Sequence, residues 1–219
     1  MTDIASFDIV EHERSFIESC LDKLICTIGA IPIANKRIMP YGWRKAAKGR
    51  TVWRIVEEVI SQGLEYHSKD LGFDSVQAAE SEVGVYDFKF SFNGNRQAYV
   101  NVKSSVKGAR TNKDDISKAE GLLDFYQRDP DANLYVATFV ISFNQDMTIG
   151  FEGCHVIPTA WIPDIYVNPS NNGNLQSSHY KDLSTCIKRT PREFHELLSN
   201  SNATAKAKRK INQKRKSKG

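Results

Sequence analysis

No apolar run in the sequence approaches the roughly 18 residues that a bilayer-crossing helix needs, which argues against a helical membrane span. The opening Met-Thr-Asp-Ile-Ala lacks the basic-then-apolar order of a secretory signal, so a cytoplasmic location is expected. Cysteine is scarce. Cys20, Cys26, Cys154 and Cys186 show no Cys-x-x-Cys spacing, which disfavours both a disulfide framework and a zinc ribbon and leaves buried free thiols as the expectation. No internal repeat is present, so a solenoid or propeller is not indicated. What remains is an ordinary globular composition, with 219 residues, 40% hydrophobic and 26% charged, enough for one domain with a sizeable core.

Acids are missing from three long stretches, and this absence is more informative than the net charge of +4. Lys206 to Lys218 holds eight basic residues and no acid, leaving 22 basic against 26 acidic residues in the rest of the chain. Lys23 to Val56 holds eight Lys or Arg and Phe88 to Lys113 holds six, again without an acid. Carboxylates gather instead in Glu57–Asp87 and Asp114–Asp131. Segregation of this kind is the electrostatic footprint of a polyanion binder, and in a bland reading it is a set of solvated faces.

Apolar residues at helical spacing predict a helix from about Asp8 to Thr27, stopped by Gly29 and Pro32, and a second from about Arg50 to Tyr66 with Val52, Val56, Ile60 and Leu64 on one face. Two alternating runs, Val83–Phe92 and Ala98–Val102, flank Asn93-Gly94-Asn95 and read as a hairpin. A third helix is expected over Asp114–Arg128, ended by Asp129-Pro130. Leu134–Phe143 is almost continuously apolar and reads as a strand buried on both faces, paired with Met147–Ile157. Thr190-Pro191-Arg192-Glu193 is a capping box opening a last helix through Leu198. These elements predict an α/β fold, a central mixed sheet flanked by helices, in a single domain over residues 1–200. Residues 201–219 are expected to form a basic, disordered tail.

Period-two alternation sets Asn101 and Lys103 side by side on one face of the Ala98–Lys103 run, with Val100 and Val102 on the other. Asp87 lies opposite the phenylalanines of its own run, so hairpin pairing brings a carboxylate, an amide oxygen and an ammonium together. Oxygen ligands of this type suit Mg²⁺, which keeps several waters of its own. An ammonium beside it can position or deprotonate a water, or stabilise charge on a phosphate.

Asp87, thirteen residues and then Asn101-Val102-Lys103-Ser104-Ser105 resembles the split motif of the PD-(D/E)xK nuclease superfamily, which includes the type II restriction endonucleases. Tyr86 stands where the pattern has proline, and Asn101 replaces its second acid. The resemblance implies a restriction-endonuclease-like fold, Mg²⁺ held by Asp87, Asn101 and a glutamate from the preceding helix, and catalysis with Lys103. Glu57 is the expected glutamate and Glu58 its alternative. The implied function is Mg²⁺-dependent hydrolysis of double-stranded DNA at a short palindrome by a homodimer, with a companion methyltransferase acting on the same site. Repair and junction-resolving nucleases share such a constellation. A reading from a different class is a non-catalytic nucleic-acid binder in which Asn101 marks a lost metal site.

Further DNA contacts are expected from Ser104, Ser105, Lys107 and Arg110, which follow the candidate lysine. Asn168–Tyr180 is rich in amides and hydroxyls and carries Asn171, Asn172, Asn174, Gln176 and Ser177. Groups of this type hydrogen-bond to base edges, so the stretch reads either as a major-groove recognition loop or as a long surface turn. Histidines His67, His155, His179 and His195 lack ligand-like spacing and are assigned no role.

Overall fold

The computed structural model describes residues 3–44, 49–79, 84–92, 96–108 and 113–216. Its elements in chain order are α1 (Asp3–Ile28), β1 (Ile31–Pro32), α2 (Gly49–His67), β2 (Ser75–Ala78), β3 (Phe88–Phe92), β4 (Arg96–Val106) and β5 (Asp114–Lys118). They continue with α3 (Ala119–Arg128), β6 (Asn133–Phe143), β7 (Thr148–Pro158), β8 (Tyr166–Val167), β9 (Asn174–Ser177) and α4 (Pro191–Lys216). Six strands form one mixed sheet in the order β1-β7-β6-β4-β3-β2, in which β4 and β6 run parallel and the other neighbours antiparallel. A second, antiparallel sheet has the order β5-β9-β8. The architecture is α/β. Among the described residues no helix is long and apolar enough to cross a membrane.

The continuous apolar run of β6 has a direct cause. Tyr135, Ala137 and Phe139 point into a core layer shared with α1 and α2, while Leu134 and Val136 point into a second layer shared with α3 and α4. Period-two alternation therefore favours an apolar residue at nearly every position, Thr138 being the buried exception. The same alternation sends Phe88, Phe90 and Phe92 of β3 and Ala98, Val100 and Val102 of β4 to the first layer. In α2, Val52, Val56, Ile60 and Leu64 recur every four residues and all are buried, which fixes the face on which Glu57 lies.

Two expectations require correction. Asp114–Lys118 is not the first turn of a helix but the strand β5, and α3 starts at Ala119. Ile116 is buried and β5 pairs with β9, so long-range pairing overrides a local pattern that also suits a helix start. The last helix, in turn, does not stop at Leu198 but runs on to Lys216, through most of the segment 201–219 expected as a disordered tail. Asn202 and Ala205 are buried against the second core layer, Lys206 pairs with Glu120 at 2.8 Å and the Arg209 guanidinium donates to the Pro169 carbonyl at 3.1 Å. Docking therefore holds a segment whose composition alone does not order it. The capping box forms: Thr190 N–H donates to the Glu193 carboxylate at 2.7 Å and Glu193 N–H to the Thr190 hydroxyl at 3.2 Å. The Asn93-Gly94-Asn95 turn lies outside the described residues, although Phe92 and Arg96 on either side are paired as a hairpin requires.

Candidate active site

The β3–β4 pairing continues one residue before β3, and this positions the site. Asp87 N–H donates to the Val100 carbonyl at 2.9 Å, and the Asp87 carboxylate accepts the Val102 N–H at 2.6 Å. Asp87 is thereby held beside β4, where alternation turns Asn101 and Lys103 away from the Phe-rich layer. Asn101 is only 7% exposed. Its side-chain N–H₂ donates to the Val85 carbonyl at 2.9 Å and points at the Ile116 carbonyl 3.5 Å away, while its Oδ1 is buried without a hydrogen-bond partner.

Glu57 enters from α2 across a cleft of about 350 Å³ that Trp53, Arg54, Asp87, Asn101, Lys103 and β5 also line. Desolvation first, and then the negative charge of Asp87, push the Glu57 carboxyl up to about 7, against the opposing pull of Lys103 and Arg54. Asp87 keeps solvent access, yet atoms crowded around its carboxylate raise its pKa above the usual range. The Val102 N–H and Lys103 offset part of that shift. Glu57, Asp87 and Lys103 therefore act on one another electrostatically. Glu58 borders the adjoining cleft of about 240 Å³, but it is exposed and accepts from Gln62 at 2.7 Å, whereas Glu57 lines both clefts beside Asp87. A further cleft of about 910 Å³ lies along α1 and the end of α2 and shares no residue with this site.

Among the described residues no group of three His, Cys, Asp or Glu side chains has metal-holding spacing. The donor set here is different: two carboxylates and one amide oxygen. Its fit to Mg²⁺ rests on Asn101, because a buried carbonyl oxygen without a donor is costly and an oxygen-loving cation satisfies it. Paired carboxylates with raised pKa values are likewise relieved by a cation.

The remaining sequence candidates separate clearly. Ser104 and Ser105 are half-buried on β4 beyond Lys103, and the Ser105 hydroxyl accepts from the Lys181 ammonium at 2.8 Å. Lys107 is exposed and pairs with Glu152 at 2.7 Å, so its charge already has a partner. Arg110 lies outside the described residues. The Asn168–Tyr180 stretch is not wholly a loop, since Asn174–Ser177 form β9. Asn171, Asn174 and Gln176 all donate to the Asp115 carboxylate, at 2.6 to 3.0 Å. Asn172 is exposed at the tip with φ 50°. Ser177 is a correction: it is fully buried and its hydroxyl donates to Asp164, so it has no surface with which to meet a base.

Sequence reasoning missed Asp115 and Lys118, which line the cleft, because both were assigned to a helix. The alternation Asp115–Ile116–Ser117 with one buried apolar residue was the available signal. Comparison with protein-family models finds no match to the chain, and comparison with curated proteins finds none either.

Proposed function

We propose that the protein is a Mg²⁺-dependent endonuclease of the PD-(D/E)xK type, with a restriction-endonuclease-like fold, that hydrolyses double-stranded DNA at a short palindrome. One observation carries this reading: Asp87, Asn101 and Lys103 of the hairpin and Glu57 of α2 line a single cleft. The chain order supports it, with a carboxylate-bearing helix before the hairpin and a buried parallel strand after it.

The Asp87 carboxylate, the Asn101 Oδ1 and the Glu57 carboxylate would hold the ion. When bound, Mg²⁺ supplies Lewis-acid polarisation of a phosphoryl oxygen and a lowered pKa for coordinated water. The Val102 N–H keeps Asp87 in one orientation, which reduces the reorganisation needed on binding. Asn101 is held by its amide nitrogen so that its oxygen stays fixed. Lys103 brings an ammonium to the same wall, where it neutralises charge that builds on the phosphate and orients the attacking water. In-line attack breaks the bond to the 3′-oxygen and leaves 5′-phosphate and 3′-hydroxyl ends. Cutting both strands of a palindrome requires two sites related by a two-fold axis, supplied by a homodimer. A companion methyltransferase would protect host DNA.

Incubation with supercoiled plasmid and Mg²⁺ tests the reading. Discrete fragments are expected. Nicks confined to branched or damaged DNA would move the protein to the repair and junction-resolving nucleases, and an intact plasmid with a gel shift would make it a binding protein.

A further inference from the structure

Asp115 and Asn174 in the lining of the same cleft belong to a cluster of amides organised by one acid. Asp115 on β5 receives the Asn171 Nδ2 at 2.8 and 3.0 Å, the Asn174 Nδ2 at 3.0 Å and the Gln176 Nε2 at 2.6 Å. The network continues outward: Asn168 Nδ2 donates to the Gln176 Oε1 at 3.0 Å, and Ser170 N–H donates to the Asn168 Oδ1 at 2.8 Å. An ionised carboxylate accepts and never donates, so each of the three amides must turn its nitrogen toward Asp115. The carbonyl oxygens of Asn171 and Asn174 then face away from it. Gln176 spends its oxygen on Asn168, which leaves Asn171 and Asn174 as the acceptors.

Backbone geometry holds the arrangement. Asn168 N–H donates to the Asn174 carbonyl at 2.9 Å and Asn174 N–H to the Asn171 carbonyl at 3.0 Å, while Asn172 (φ 50°) and Gly173 (φ 74°) take the left-handed conformation that Asn and Gly tolerate best. Arg209 of α4 clamps the Pro169 carbonyl from behind. Asn174 and Asp115 line the cleft that also holds Asn101 and Lys103.

We infer that Asp115 is a positioning residue that sets the polarity of readout: it commits the amides of Asn171 and Asn174 to presenting acceptors. The ligand that fits is a base edge that donates through an exocyclic amino group, adenine N6 or cytosine N4. This inference rests on the nuclease reading, since the cleft must receive DNA. Without the carboxylate the amides are free to rotate and offer N–H₂ instead, and discrimination is lost although the chain of contacts remains.

The test is selection of bound duplexes from a randomised library by the full chain, with Ca²⁺ replacing Mg²⁺ to prevent cutting. Wild-type protein should enrich a short motif. Resynthesis of that motif with N6-methyladenine in one arm and N4-methylcytosine in the other should identify the amino group read, by a roughly tenfold or greater loss in one arm. Asp115→Ala should relax preference at that position alone, read as the ratio of affinities for the motif and for its single-base variants, and Asp115→Glu should recover part of the preference. Asp115 is exposed, so thermal melting serves as the check that the variants fold. An enriched motif whose base preferences Asp115→Ala leaves unchanged overturns the inference alone, as does a motif indifferent to both methylated bases. If wild-type protein enriches no motif, sequence-specific cleavage and the inference fall together.

Discussion

The Asn101 side-chain nitrogen donates to the Val85 carbonyl at 2.9 Å, tying β4 to the segment that delivers Asp87. At this position the resemblance would have an acid, and the geometry explains why an amide suits it here. A carboxylate has no proton to give, and it would confront two backbone carbonyls, those of Val85 and Ile116.

Asn101→Asp should therefore destabilise the metal-free protein by about 1–3 kcal/mol, the cost of losing a buried donor and opposing acceptors. Urea denaturation with and without Mg²⁺ checks this. The loss should shrink when Mg²⁺ is added, because the new carboxylate then has a cation to face. Unchanged stability without metal would mean that the amide donor contributes nothing.

Glu57 predicts a pH dependence of the metal-free fold. Its folded pKa, about 7, lies above the ordinary value of 4.5, so the folded state holds the proton more tightly than the unfolded chain. Its favourable contribution is complete below the unfolded value and is lost as pH rises through 7. Asp87, also raised, acts in the same direction from a lower starting pH. Denaturation midpoints should fall between pH 4.5 and 7, and Glu57→Gln should flatten that slope. A midpoint that rises over this interval in wild-type protein and is untouched by the substitution would place Glu57 elsewhere.

Lys208 and Lys210 are exposed on α4 near the end that carries the basic run. If they meet phosphates, the double substitution Lys208→Ala/Lys210→Ala should reduce the slope of log affinity against log salt by up to about two without altering the preferred sequence. Measurement is by fluorescence anisotropy over a salt series. Ala205→Asp is a different kind of change: it puts a charge against the second core layer, and a drop in melting temperature is expected.

Features that depend on one stretch of chain were legible in the sequence. The two-faced burial of β6, the capping box at Thr190 and Glu193, and the hairpin that sets Asp87 beside Asn101 and Lys103 follow from period and spacing, whereas Glu57 was singled out only through the family resemblance. What the sequence concealed depends on distant partners. Asp114–Lys118 looks like a helix start until β9 is available to pair with it. The lysine-rich end of α4 looks disordered until Asn202, Ala205 and Arg209 find surfaces to dock on. Ser177 is indistinguishable in sequence from its polar neighbours, but alternation on β9 buries it with Leu175 and exposes Gln176 more. The role of Asp115 was hidden for the same reason, since its three amide partners lie 56 to 61 residues away.

The proposed activity requires Lys103 to act on a phosphodiester beside a metal held by Asp87. The most direct measurement is single-turnover cleavage of a selected duplex in Mg²⁺ by wild-type protein, Lys103→Ala and Asp87→Ala, with Ca²⁺-supported binding measured in parallel. Wild type should give 5′-phosphate products and each variant should lose roughly 10²–10⁴-fold or more in rate, the scale of a removed catalytic group, with binding largely retained. Cleavage by either variant at near wild-type rate would contradict it.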